Sequence, residues 1–166
     1  MPRPTHRLSL YLVPADPDRA YDGARLETAL DRLREAGVLD GFGPGPEADQ
    51  LVAGGFRRLR VDLPDQAVLY GNRQGGFYAR CPACQAHLAA SLGPVLRSWR
   101  AGGARQVACA CGVASDLAQL DYAPPAAIGR FALELRDVLA PELSPEGKPW
   151  VEAGIGSFVV VGSRGP

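Results

Sequence analysis

The sequence predicts an α+β protein: a mostly antiparallel sheet covered by two helices, with a small four-cysteine module inserted in it. Three observations carry this expectation. Residues 7–13 and 56–63 alternate apolar and polar side chains, the period of a strand. Residues 22–36 and 124–140 repeat apolar positions at helical spacing. The four cysteines fall into two close pairs, Cys81-Pro82-Ala83-Cys84 and Cys109-Ala110-Cys111-Gly112.

Residues 7–13 put Leu8, Leu10 and Leu12 on one face and Ser9 and Tyr11 on the other, a half-buried strand that Pro14 ends. In the first helix Leu26, Ala29, Leu30 and Leu33 form the buried stripe. Asp22 is suited to cap its start and Gly37 to follow its last turn. The Gly- and Pro-rich stretch 40–55 reads as an irregular surface connection. Residues 56–63 turn Leu59, Val61 and Leu63 inward and Arg58, Arg60 and Asp62 outward. Residues 67–80 read as a hairpin around Gly71–Gly76 that delivers the chain to Cys81.

Between the cysteine pairs, residues 94–100 predict a short helix with Pro94 in its first turn. Pro124-Pro125 opens the second long helix, with Ile128, Phe131, Leu135 and Val138 or Leu139 buried and Pro141 closing it. Residues 141–149 are expected to be irregular and Trp150 a packing anchor. Residues 157–161, nearly all apolar, predict a last strand in a central position, followed by a fraying tail from Gly162.

The cysteines carry the chemistry. Four thiolates presented by two tight turns converge on one tetrahedral Zn²⁺ with little further ordering, so Cys81, Cys84, Cys109 and Cys111 are the expected ligands. A dithiol redox pair, a disulfide pair or plain burial are the competing readings. His87, just past Cys84, is a weaker ligand candidate because four cysteines already complete the shell.

Composition narrows the rest. At 166 residues, 46% hydrophobic and 22% charged, the chain can bury a core. Basic and acidic residues balance at 18 each, which gives no general attraction to polyanions. Lys148 is the only lysine, a bias that reads as genome composition. No segment has the roughly 18 consecutive apolar residues of a membrane span. The start, Met1 to Arg7, lacks a signal-peptide pattern, so a cytoplasmic protein is expected. No phosphate-binding loop occurs, since Pro149 follows Gly147-Lys148 where a hydroxyl is needed. His6 and His87 are the only histidines, which leaves little for nucleophilic catalysis. The expectation is not an enzyme.

The first cysteine pair, PVLRSWRAGG, the second pair and DLAQLDYAPPAAIGRFALEL together resemble a group of small bacterial proteins of unknown function, some labelled sugar-transporter ATPase. The resemblance implies a ferredoxin-like α+β body (1–80 plus 113–166) interrupted by a zinc-ribbon-like insertion (81–112). It implies the metal role for Cys81, Cys84, Cys109 and Cys111, and no activity. The expected function is a binding protein with a structural Cys₄ zinc site acting through protein contacts. The alternatives are a nucleic-acid-binding ribbon using Arg57, Arg58, Arg60, Arg73 and Arg80, and a thiol/zinc redox switch.

Overall fold

A computed structural model describes residues 7–72 and 78–165 of the chain. The chain enters through β1 (Arg7–Pro14) and α1 (Gly23–Glu35). Two short strands, β2 (Leu39–Asp40) and β3 (Gly43–Pro44), precede β4 (Arg58–Asp62) and β5 (Val68–Tyr70). β6 (Tyr78–Arg80) leads to α2 (Ala89–Arg100), β7 (Gln106–Ala108), β8 (Ala114–Asp116) and β9 (Asp121–Ala123). The chain closes with β10 (Ala127–Gly129), β11 (Ala132–Val138), α3 (Gly147–Ile155) and β12 (Phe158–Gly165).

Four strands form the main sheet, in the order β12-β1-β11-β4, and every neighbouring pair is antiparallel. The α+β class and the mostly antiparallel sheet agree with the sequence reading. One face of the sheet is covered by α1 and α3. Leu10, Leu12, Leu59, Leu133 and Leu135 of the sheet meet Leu26, Leu30, Leu33, Val151 and Ile155 of the helices. Each such side chain contributes about 1.5–3 kcal/mol by leaving water.

The start and stop of α1 follow from its residues. Asp22 accepts a hydrogen bond from the Arg25 N–H at the first turn. At the other end Gly37, at φ +76°, donates to Arg34 O while Val38 donates to Leu33 O, the paired bonds of a Schellman stop. The helices approach closely at Gly154, where a Cβ would lie 2.9 Å from Ala29 Cβ.

The opposite face of the sheet is not left to solvent. Tyr11, Val13, Ala132 and Val161 pack there under the β5–β10 ribbon, so β1 is buried on both faces rather than one. That ribbon is one strand thick and buries both sides. Tyr70 and Ala127 face the sheet, while Leu69 and Ile128 face a second cluster formed by Ala79, Leu88, Leu92, Leu96, Val107, Leu117 and Tyr122.

Several sequence expectations are corrected. Residues 124–140 are not a helix; they form β10 and β11. The reason is a β-bulge: Leu10 pairs with Leu135 but Leu8 pairs with Val138, so three steps of β11 oppose two of β1. Asp137 takes φ +54° there and turns outward to Arg57, and Val138 returns to the core. Leu135 and Val138 thereby acquire the three-residue spacing of a helix within a strand, and Leu139 is 82% exposed.

The second helix over the sheet is instead α3. Pro149 stands at its third residue, where the N–H has no intrahelical partner to lose. Trp150 does pack against the core from α3. β12 lies at the sheet edge, not centrally, and pairs with β1 as far as Gly165, so Gly162–Gly165 is strand rather than tail. Residues 67–72 and 78–80 do not pair with each other: β5 pairs with β10 and β6 with β9. The turn expected at 73–77, and Met1–His6, lie outside the described residues. The 94–100 helix begins five residues earlier, with Pro94 in its interior. The four-residue spacing of Leu88, Leu92 and Leu96 along the second cluster holds it in place. Leu63 is exposed. Residues 40–55 are a packed extension of the core, burying Ala48, Leu51 and Val52.

Candidate metal centre

Two turns bring the cysteines together. In the first, Gln85 donates to Cys81 O and Cys81 donates to Ala86 O, with Gln85 in the left-handed region at φ +63°. In the second, Gly112 donates to Cys109 O and Cys109 donates to Val113 O. Gly112, at φ +90°, takes the conformation its position after the pair suggests. The antiparallel β7–β8 pair supports the second turn, while the Arg80–His87 bridge supports the first.

The result is one cluster. All four Sγ atoms lie within 4.8 Å of one another. Cys81 Sγ is 3.9 Å from Cys111 Sγ, and Cys84 Sγ is 3.6 Å from Cys109 Sγ. A disulfide bond is about 2.05 Å long, so the sulfurs are neighbours without being bonded. Cys81 is buried, Cys109 half-buried, and Cys84 and Cys111 exposed. Each sequence-predicted ligand is therefore in the cluster, and the set can hold a metal ion. His87 is not in it; its ring lies 5.3 Å from that of Tyr78.

The thiols are electrostatically unequal. N–H groups of Cys84 and Ala83 aimed at the Cys81 sulfur, helped by the Cys109 and Cys111 thiols, lower its pKa to about 7 despite burial. Cys84 accepts from the Ala86 N–H, which lowers its pKa, but Cys109 and the other thiols together with desolvation raise it to about 11. The Cys81 thiolate thus forms readily while Cys84 holds its proton. A bound cation reverses that logic, because a coordinated thiol is deprotonated outright.

Residues 81–96 and 106–115, which flank the cluster, contain no Asp, Glu, Lys or Arg, and His87 is their one basic side chain. The charged anchor of the module is Arg105, whose Nε and Nη2 donate to Asp116 at 2.9 and 3.0 Å. Asp116 also accepts from the Ala118 N–H, capping the short turn that follows. Nothing in the sequence pattern marks Arg105, since its partners are set by tertiary contact.

The arginines expected to form a basic patch divide. Arg60 reaches Asp62 and Glu134, and Arg57 reaches Asp137. Arg80 lies 5.8 Å over the Tyr78 ring, away from them, and Arg73 is outside the described residues. Among the described residues no helix is long and apolar enough to cross a membrane. No protein family, curated protein or solved structure matches this chain.

Proposed function

We propose that the chain is a non-enzymatic binding protein in which Cys81, Cys84, Cys109 and Cys111 hold one structural Zn²⁺. The carrying observation is the convergence of the four sulfurs, at 3.6 and 3.9 Å from one close pair to the other. A tetrahedron with Zn–S bonds of about 2.3 Å has edges of about 3.8 Å, so the cluster needs little adjustment to take the ion. Four sulfurs close the coordination shell and leave no position for a substrate or water, which supports a structural role.

The body reads as ferredoxin-like. Taking the main-sheet strands in chain order, the sheet runs fourth-first-third-second, with a helix after the first strand and another after the third. The zinc-ribbon-like segment falls between the second and third of these strands. Its uncharged flanks, with Tyr78 and Val113 exposed, support docking onto a protein rather than a nucleic acid.

The test is metal analysis of protein purified without added metal, with about one zinc per chain expected. Cys84→Ser or Cys109→Ser should lower that content sharply. A metal-free, folded chain with four reactive thiols overturns the reading. Exposure of Cys84 and Cys111 favours a second reading, zinc release on thiol oxidation, and mild peroxide that frees no zinc would dismiss it.

A further inference from the structure

On the face of the main sheet that the β5–β10 ribbon partly covers, one carboxylate lies among a group of guanidiniums. Glu134 is 4% exposed, and its Oε2 lies 3.2 Å from both Arg60 Nε and Arg136 Nε. Arg60 and Glu134 are cross-strand partners, and so are Arg58 and Arg136 two pairs further along on the same face. Both Glu134 contacts are ion pairs through Nε that lack hydrogen-bond geometry at Oε2, and they do not engage the terminal nitrogens. Arg60 spends one of its own on Asp62, at 3.0 Å.

The Arg58 side chain has no ion pair or hydrogen bond among the described residues, and the Arg136 side chain has no ion pair beyond Glu134. Two like charges stand directly opposite each other on adjacent strands, with Cβ atoms about 5 Å apart, an arrangement that destabilises a sheet. Arg57, Arg58, Arg60 and Arg136 face the acids Asp62, Glu134 and Asp137, which leaves one cation in excess. The bulge at Asp137 reinforces the arrangement, since it carries that carboxylate out to Arg57 rather than toward the Arg58–Arg136 pair.

We propose that Arg136, held beside Glu134, and Arg58, its cross-strand partner, bind an oxyanion, the chemistry shared by a carboxylate and a phosphate group. The charge excess matches a single negative charge, and two facing guanidiniums suit the paired oxygens of either group. This site is independent of the metal reading and survives its failure.

The experiment follows the arginine Nε–H resonances of the full, isotopically labelled protein at constant ionic strength. Inorganic phosphate, acetate and a short single-stranded oligonucleotide are titrated in turn. Saturable shifts at Arg58 and Arg136 with phosphate or acetate are expected, and the stronger of the two identifies the group recognised. Arg58→Gln and Arg136→Gln should each weaken binding about tenfold, with the rest of the amide spectrum unchanged, while Arg32→Gln on α1 should not. No saturable response to either small anion overturns the proposal, as does an equal response in the variants. Oligonucleotide binding without a small-anion site overturns it in favour of a nucleic-acid surface.

Discussion

Arg105 and Asp18, 87 residues apart, form a two-pronged ion pair, Nη1 to Oδ1 at 3.1 Å and Nη2 to Oδ2 at 3.2 Å. The pair ties the four-cysteine segment to the turn that follows β1. The same guanidinium holds Asp116, so one side chain fastens the β7–β8 pair on both sides. Hydrogen bonding and charge from Arg105 hold the Asp18 carboxyl below its ordinary value of 3.8. A carboxylate whose pKa is lower folded than unfolded contributes above the unfolded value, and the contribution disappears as pH falls through the folded one. The tie should persist at neutral pH and fail only in acid below about 4. Asp18→Asn should speed amide exchange in residues 104–118 and leave β1 and β11 unchanged. Arg105→Ala should do more, because Asp116 also loses its partner. Equal exchange in wild type and both variants would contradict this.

Removal of metal by a strong chelator should expose residues 79–122 to protease first. Structural zinc contributes about 10–16 kcal/mol in isolated fingers, whereas the body keeps the Leu-rich core under α1 and α3 without it. Fragments cut between residues 81 and 120, with the strands around Leu10 and Leu135 intact, are the expected products. Simultaneous digestion of the whole chain would show that the body depends on the metal.

Gly154→Ala should destabilise the protein by about 1–2 kcal/mol. The added methyl would meet Ala29 Cβ at 2.9 Å and force α3 away from α1, a cost of about 1–3 kcal/mol that the better helix propensity of Ala offsets by up to about 1. Urea denaturation measures it, and Ala29→Gly in the same chain should restore most of the loss. Unchanged or raised stability in the single variant would contradict the close approach.

Glu134→Gln removes the carboxylate between Arg60 and Arg136. Both guanidiniums are about half exposed and neither meets hydrogen-bond geometry at Oε2, which limits the loss to about 1 kcal/mol or less for each pair. Urea midpoints before and after the change measure it. Raised salt should narrow the difference between the two proteins, because screening weakens the pairs that the variant lacks.

Legibility in the sequence followed how local each signal was. α1 was readable to the residue because its cap at Asp22, its stripe and its stop at Gly37 all lie within one stretch. The four cysteines were readable because ligand spacing is itself local. β11 was not, since a bulge created by pairing with β1 gave it helical spacing. α3 was hidden by Pro145 and Pro149, which read as breakers although a first turn tolerates proline. The pairings of β5 with β10 and β6 with β9 join segments far apart in sequence, where the turn-rich 71–76 stretch suggested a hairpin. Glu134 lies off the apolar stripe of the helix expected over 124–140, so its burial beside two arginines had no sequence signature.

The bulge in β11 also determines where this chain tolerates losing a residue. A deletion within a regular strand reverses the side of every residue beyond it, which would turn Leu133 or Leu135 out of the core. At Asp137 the chain already carries one residue more than β1 requires. Removing Asp137 would leave two steps opposite two, place Val138 against Leu8 as before, and abolish a left-handed residue. Among the positions of β11, this is where a shorter relative would be expected to have its gap.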